Sequence, residues 1–250
     1  MRIFWLFFLL VSPPAFAEEG ASHTAYNEGR YAEAATLART ATTADGYAFS
    51  ARALLAEGMC GEGQPSADLL DAAEASALAA LELDAAHIEG RLQLAIALSL
   101  KARPLSLSEA RKTGYAERAR DLAEETLELD PQSAYAHGFL AVWNIEVVRR
   151  GGRIGSMMMG ASIRDARGHY QSALALRPDD VALHWQYARA LAALNARKYR
   201  SELEVVLLRA VEGHPADALE AVMAARAGVL QDALETQDRR AVEALAAEML

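Results

Sequence analysis

One stretch of the chain, Ala119 to Trp143, recurs in altered form along most of its length. It reads ARDLAEETLELDPQSAYAHGFLAVW: the end of one amphipathic helix, a Leu-Asp-Pro stop, and the start of another helix. Near-copies begin at Ala77 (ALAALELDAAHIEGRLQLAIAL), Ser172 (SALALRPDDVALHWQYARAL) and Arg209 (RAVEGHPADALEAVMAARAG). A supersecondary unit repeated at such spacing cannot bury its apolar face alone, so the copies must stack into a continuous array of helical hairpins. The abundant alanine and sparse β-branched residues favour closely packed helices and predict an all-α chain.

Measured between the stops at Ala85, Pro131, Pro178 and Pro215, the units are 46, 47 and 37 residues long. The excess over an uninterrupted helical hairpin falls between the first and second helix of a unit. GEGQPS from Gly61, RPLSLSEARKTG from Arg103 and RRGGRIGSMMMGAS from Arg149 all lie there and read as loops on a common rim. Leu230 to Leu250 reads as a terminal helix capping the stack.

The first 17 residues have a different pattern. Arg2 precedes an apolar run from Ile3 to Val11, then Ser12-Pro13-Pro14, then Ala15-Phe16-Ala17. This is the pattern of a signal peptide cleaved after Ala17, leaving residues 18–250 as one exported domain, with a bacterial periplasm as its expected location. The run is shorter than the about 20 residues that span a bilayer, so no stable membrane anchor is expected after cleavage. With Cys60 as its only cysteine, the domain must be stable without an internal disulfide. The formal charge of −9 argues against general nucleic-acid binding, which needs a basic face.

The repeating pattern resembles that of the tetratricopeptide repeat (TPR) family over nearly all of residues 18–250. The second-helix pattern stands as Ala119, Ala123, Thr126 and Pro131, and again as Ala166, Tyr170, Ala173 and Pro178. The large–small step of the first helix stands at Leu94-Ala95, Leu140-Ala141 and Tyr187-Ala188. Arg91, His137, His184 and Ala221 replace the family's first-helix tryptophan, which marks a divergent array. The resemblance implies a TPR-like right-handed superhelix of about five hairpins that binds a protein or peptide partner in a groove lined by first helices. Projected onto this chain, the groove residues are Leu92, Ile96, Tyr135, Val142, Ile145, Trp185, Arg189, Val222 and Arg226. An apolar lining with arginines at one end suits an amphipathic peptide or a small amphiphile with an acidic head.

A second candidate surface is the stretch around Arg149, Arg150, Arg153, Met157, Met158 and Met159. Read as a docking loop, it offers cations to an anionic partner and soft apolar contacts beside them; read as packing, its methionines fill a gap and its arginines pair with nearby acids. His137 and His184 occupy equivalent places in successive units, but no metal-binding spacing accompanies them, and they read as packing residues. Cys60 has no adjacent base. No nucleophile motif, phosphate loop or dinucleotide fingerprint is present, so a non-enzymatic protein without cofactor or metal is expected. Two roles fit: a scaffold for a periplasmic assembly, or an accessory subunit of a TRAP-type solute transporter whose groove cradles a small amphiphile.

Overall fold

The computed structural model describes residues 15–61 and 63–250, with side-chain surroundings from residue 20 onward. The proposed leader peptide lies almost wholly outside the described residues. Among those residues there are thirteen helices and no strand, and no helix is long and apolar enough to cross a membrane. Helix α1 (Ala15–Asn27) pairs with α2 (Tyr31–Thr40), and α3 (Ala44–Cys60) with α4 (Ala67–Leu83). Helix α5 (Ile88–Ala102) pairs with α7 (Tyr115–Leu129) across a short α6 (Leu107–Thr113). Helix α8 (Ala134–Met159) pairs with α9 (Ile163–Leu176) and α10 (Val181–Asn195) with α11 (Arg200–Glu212), while α12 (Ala218–Thr236) packs on α11 and α13 (Arg239–Glu248) folds back mainly onto α10. Among the described residues the array therefore has five helical pairs, as the repeats suggested, followed by α12 and α13.

The expected small faces are the packing seams. Ala73, Ala77 and Ala80 of α4, Ala119 and Ala123 of α7, and Ala166 and Ala173 of α9 have no exposed surface. Methyl side chains let neighbouring helices approach closely, and Leu122, Tyr170 and Leu207 fill the space between them. The stops work through local hydrogen bonds. Asp84 and Asp130 adopt extended backbone at the ends of α4 and α7, and their carboxylates accept from the N–H of Ala86 and Gln132. At Asp130 the extended conformation also suits the residue before a proline. Side chains of Ser66, Ser133, Ser162, Asp180 and Asp217 then cap the N-termini of α4, α8, α9, α10 and α12, each accepting from a backbone N–H.

Three expected boundaries change. The stretch from Arg103 holds α6, started by a capping box between Ser106 and Glu109, rather than an irregular loop. The stretch from Arg149 is no loop either, since α8 continues to Met159 through one break at Gly152. Gly152 sits at φ 57° and ψ −156°, a conformation that any side chain would strain, so it hinges two otherwise helical limbs. The single terminal helix expected over 230–250 is divided, because Asp238 accepts from the N–H groups of Arg240 and Ala241 and starts α13 anew.

The stack also curls until its ends meet. Helix α12 touches both α1 and α3, and Arg226 of α12 donates to the carbonyls of Met59 (2.6 Å) and Gly61 (3.2 Å) at the end of α3. Between α1 and α2, Gly29 passes so close to Ala218 that an added Cβ would lie 3.2 Å from that residue's methyl. The first helices thus line a hollow that the approach of the two ends narrows.

Candidate functional site

The hollow has a volume of about 1100 Å3 and takes side chains from α1, α3, α5, α6, α7, α8, α10 and α12. Its wall follows the helical period. Helix α5 contributes Leu92, Ile96 and Leu100, α8 contributes Tyr135, Val142, Glu146 and Arg150, and α10 contributes Ala182, Gln186 and Arg189. Met223 and Leu219 close the far side from α12. The wall is basic although the chain is acidic: seven Arg and Lys side chains line it against four carboxylates, while the chain carries −9.

The charge is concentrated around Glu146. Arg149 donates to it through Nε (2.9 Å) and Nη2 (2.7 Å), and the buried Arg189 reaches it through Nη1 at 3.4 Å. Two further arginines complete the cluster. Arg103 donates to the carbonyls of Ala247 and Met249 (2.9 Å to the latter), and Arg150 to those of Ala102 (3.1 Å) and Leu105. Burial, followed by the repulsion of Arg189, Arg149 and Arg150, pushes the Arg103 guanidinium down to about 10. Burial also lowers Arg189 and Arg150. Glu146 is held below its usual range: burial alone pushes it up, but Arg189, Arg149 and Arg103 together outweigh that effect.

The end of α13 closes one side. Helix α13 runs antiparallel to α10, with Glu243 accepting from the N–H of Ala196 and Leu250 lying at Trp185. The Leu250 main-chain oxygen accepts from Trp185 Nε1 (3.2 Å) and Arg226 Nη1 (2.8 Å), and Leu250 itself faces the hollow. Arg103, bonded to the last carbonyls of α13, sits where the helix dipole favours a cation. Elsewhere, α6 and the second limb of α8 form the rim. No residue of α6 is buried, and Arg111 contacts the Met158 sulfur across the two elements (3.1 Å).

Of the nine projected groove residues, Leu92, Ile96, Tyr135, Val142 and Arg189 line the hollow. The other four do not. Ile145 is fully buried in the core, because the wall stripe on α8 runs 139, 142, 146, 150 and leaves position 145 on the packing side. Trp185 is covered by the end of α13, and Arg226 is occupied in closing the ring. Val222 lies one position off the α12 stripe, which passes through Met223. The Arg/Met stretch divides at its hinge: Arg149 and Arg150 bond inward, while Arg153, Met157 and Met158 are exposed and Met159 is half-buried.

Glu146, Arg103 and Arg150 are wall residues that the projected groove omitted. Extending the groove stripe by two turns on α5 and α8, from Ile96 through Leu100 to Arg103 and from Val142 through Glu146 to Arg150, would have found them. Charged residues on an otherwise apolar stripe are the available signal.

The histidines have structural partners. His184 donates through Nε2 to the Pro178 carbonyl (2.8 Å) and accepts at Nδ1 from the Tyr170 hydroxyl (2.6 Å). His137 meets His169, Nδ1 to Nδ1 at 3.0 Å, rather than His184. Cys60 is half-buried 3.5 Å from the Tyr31 hydroxyl, and burial pushes its thiol up, away from the reactive thiolate.

No protein-family model matches the chain, and no curated protein matches it significantly. Solved structures do. The chain is similar to a thermophilic TPR protein from Thermus thermophilus at 21% identity and a TM-score of 0.61, covering 86% of this chain and all of that one. It is also similar to a human IFIT1 dimer solved with PPP-AAAA, at 14% identity and a TM-score of 0.50. A monomeric IFIT1 mutant with Gppp-AAAA gives 15% identity and the same TM-score. Each IFIT1 comparison covers 94% of this chain, which spans 59% and 58% of those longer chains. At these identities the likeness establishes the fold, a TPR-like helical solenoid.

Proposed function

We propose that this chain is an exported, non-enzymatic TPR-like scaffold that holds an apolar, acid-bearing segment of a partner protein in a periplasmic assembly. The fold supports a binding role, because TPR-like solenoids generally present a concave surface to other proteins. The observation that carries the reading is the rim of the hollow. Leu107, Ile154, Met157 and Met158 are exposed there, beside Arg111, Lys112 and Arg153. Exposed apolar side chains among cations fit a partner carrying both apolar and acidic groups. Native mass spectrometry after gentle extraction from the periplasm tests this reading. A stoichiometric protein partner that is lost from an R153S/M157S/M158S variant is expected, and undiminished capture by that variant overturns it. Export is tested on the same material: N-terminal sequencing should begin at Glu18.

A second reading makes the chain an accessory subunit for solute uptake, with a small amphiphile in the hollow. What favours it is the end of α13, which closes one side of the hollow and shortens the space open to an extended segment. That space is close to the roughly 300–1,000 Å3 of small-ligand sites. A co-purified small molecule in the same spectra would favour this reading over the first.

A further inference from the structure

We infer that the floor of the hollow is a site for an organic anion with an apolar chain, its carboxylate seated on Arg103, Arg150 and Arg189 and its chain along Leu92, Ile96 and Val142. The inference rests on the second reading above, that a small molecule occupies the hollow, and it names the chemistry of that molecule.

The argument begins with charge balance. Four guanidinium groups surround the single carboxylate of Glu146, and only Arg149 and Arg189 bond to it. The bonds of Arg103 and Arg150 run to main-chain carbonyls at the C-termini of α13 and α5, whose dipoles offset only part of each charge. Arg189 is almost fully buried, yet its bonds are long ones through Nε to Gln186 (3.2 Å) and Nη1 to Glu146 (3.4 Å). Its Nη2 makes no hydrogen bond to a described residue. A cation held out of water without a matching anion is destabilising, most of all at the buried Arg189 and less at the half-buried Arg103 and Arg150. Arginine does not relieve that cost by giving up its proton near neutral pH, so compensation must come from an anion. Arg103 is lowered first by burial and then by this crowding of like charges.

The shape of the site decides what kind of anion. Planar guanidinium forks match a carboxylate bidentately. Beyond them the wall turns apolar through Ile96, Leu92, Val142 and Met223, a surface on which a free inorganic anion would gain nothing. An aliphatic chain would gain roughly fourfold in affinity for each buried methylene.

Isothermal titration calorimetry on the full chain tests the inference with dodecanoate, dodecanol, dodecyltrimethylammonium and tripolyphosphate. Dodecanoate is expected to bind about tenfold or more tightly than dodecanol, the difference of one charge-assisted hydrogen bond, with the quaternary cation weakest. Arg150→Gln and Arg189→Met should each weaken dodecanoate by a similar factor and leave dodecanol unchanged. The head-group comparison on the unaltered chain needs no variant to fold. Equal binding of all three amphiphiles overturns the anion site while the small-molecule reading survives. Tripolyphosphate binding as tightly as dodecanoate overturns the apolar chain. Failure of every amphiphile to bind overturns the inference together with the reading on which it rests.

Discussion

Helix α8 belongs to two regions built on opposite rules. On its packing side, Ala141 and Ile145 are buried in the apolar core. On its inner side, Val142, Glu146 and Arg150 face the hollow, and two of those three are charged. The same contrast separates Trp185, wholly buried, from Arg189 one turn later, buried but aimed at the hollow. The seams hold the helices together through shape and volume, and the wall is free to carry charge because its task is to meet something other than this chain.

Substitutions can break or sharpen that contrast. The largest effect is expected at the seam beneath α13, where Trp185→Ala should cost roughly 3–5 kcal/mol and release the end of α13. Thermal unfolding followed by circular dichroism reads the first effect, and hydrogen exchange at residues 239–250 the second. Glu146→Gln comes next. Removing the one carboxylate among four arginines should destabilise the fold by about 3 kcal/mol, and added dodecanoate should recover part of that loss. A loss unaffected by any anion would mean that the wall is a structural seam after all. Ala123→Leu, which overfills the seam of α7, should cost about 1–3 kcal/mol without changing ligand affinity.

A smaller effect is expected from pH. Burial, and for His169 also the neighbouring His137, holds His169 and His184 below the ordinary histidine value. Below about pH 6.5 the unfolded chain takes up protons that the folded chain refuses. Stability is therefore intact above that pH and is lost as the pH falls through 6.5 toward the folded values. Melting curves at about pH 7.5 and about pH 5.5 should show this, and His169→Gln should flatten the slope. The smallest effect is expected at the rim, where Met157→Ser should move stability by no more than about 0.5 kcal/mol, since the side chain is 78% exposed.

The seams were legible in the sequence because a seam is a local pattern. Ala119, Ala123 and Thr126 followed by Pro131 specify a face and a stop within thirteen residues. Half of the hollow was legible for the same reason, since Leu92, Ile96 and Val142 continue a stripe. The rest depended on distant chain segments. That Trp185 is covered follows from residue 250 returning to it, and that Arg226 is engaged follows from the ends of the array meeting. Neither contact leaves a periodic trace. The helical limb after Gly152 was hidden by its composition, because four glycines resemble a loop even where three of them interrupt no helical backbone or merely end it.

Arrays of stacked hairpins ordinarily gain or lose a unit with little penalty, because each unit touches only its neighbours. The clasp from Arg226 to Met59 and Gly61 removes that freedom. An extra unit would carry the two termini past one another, and a missing one would leave them apart. The number of hairpins is thus fixed by the circumference the clasp must close, and the bore of the ring is fixed with it.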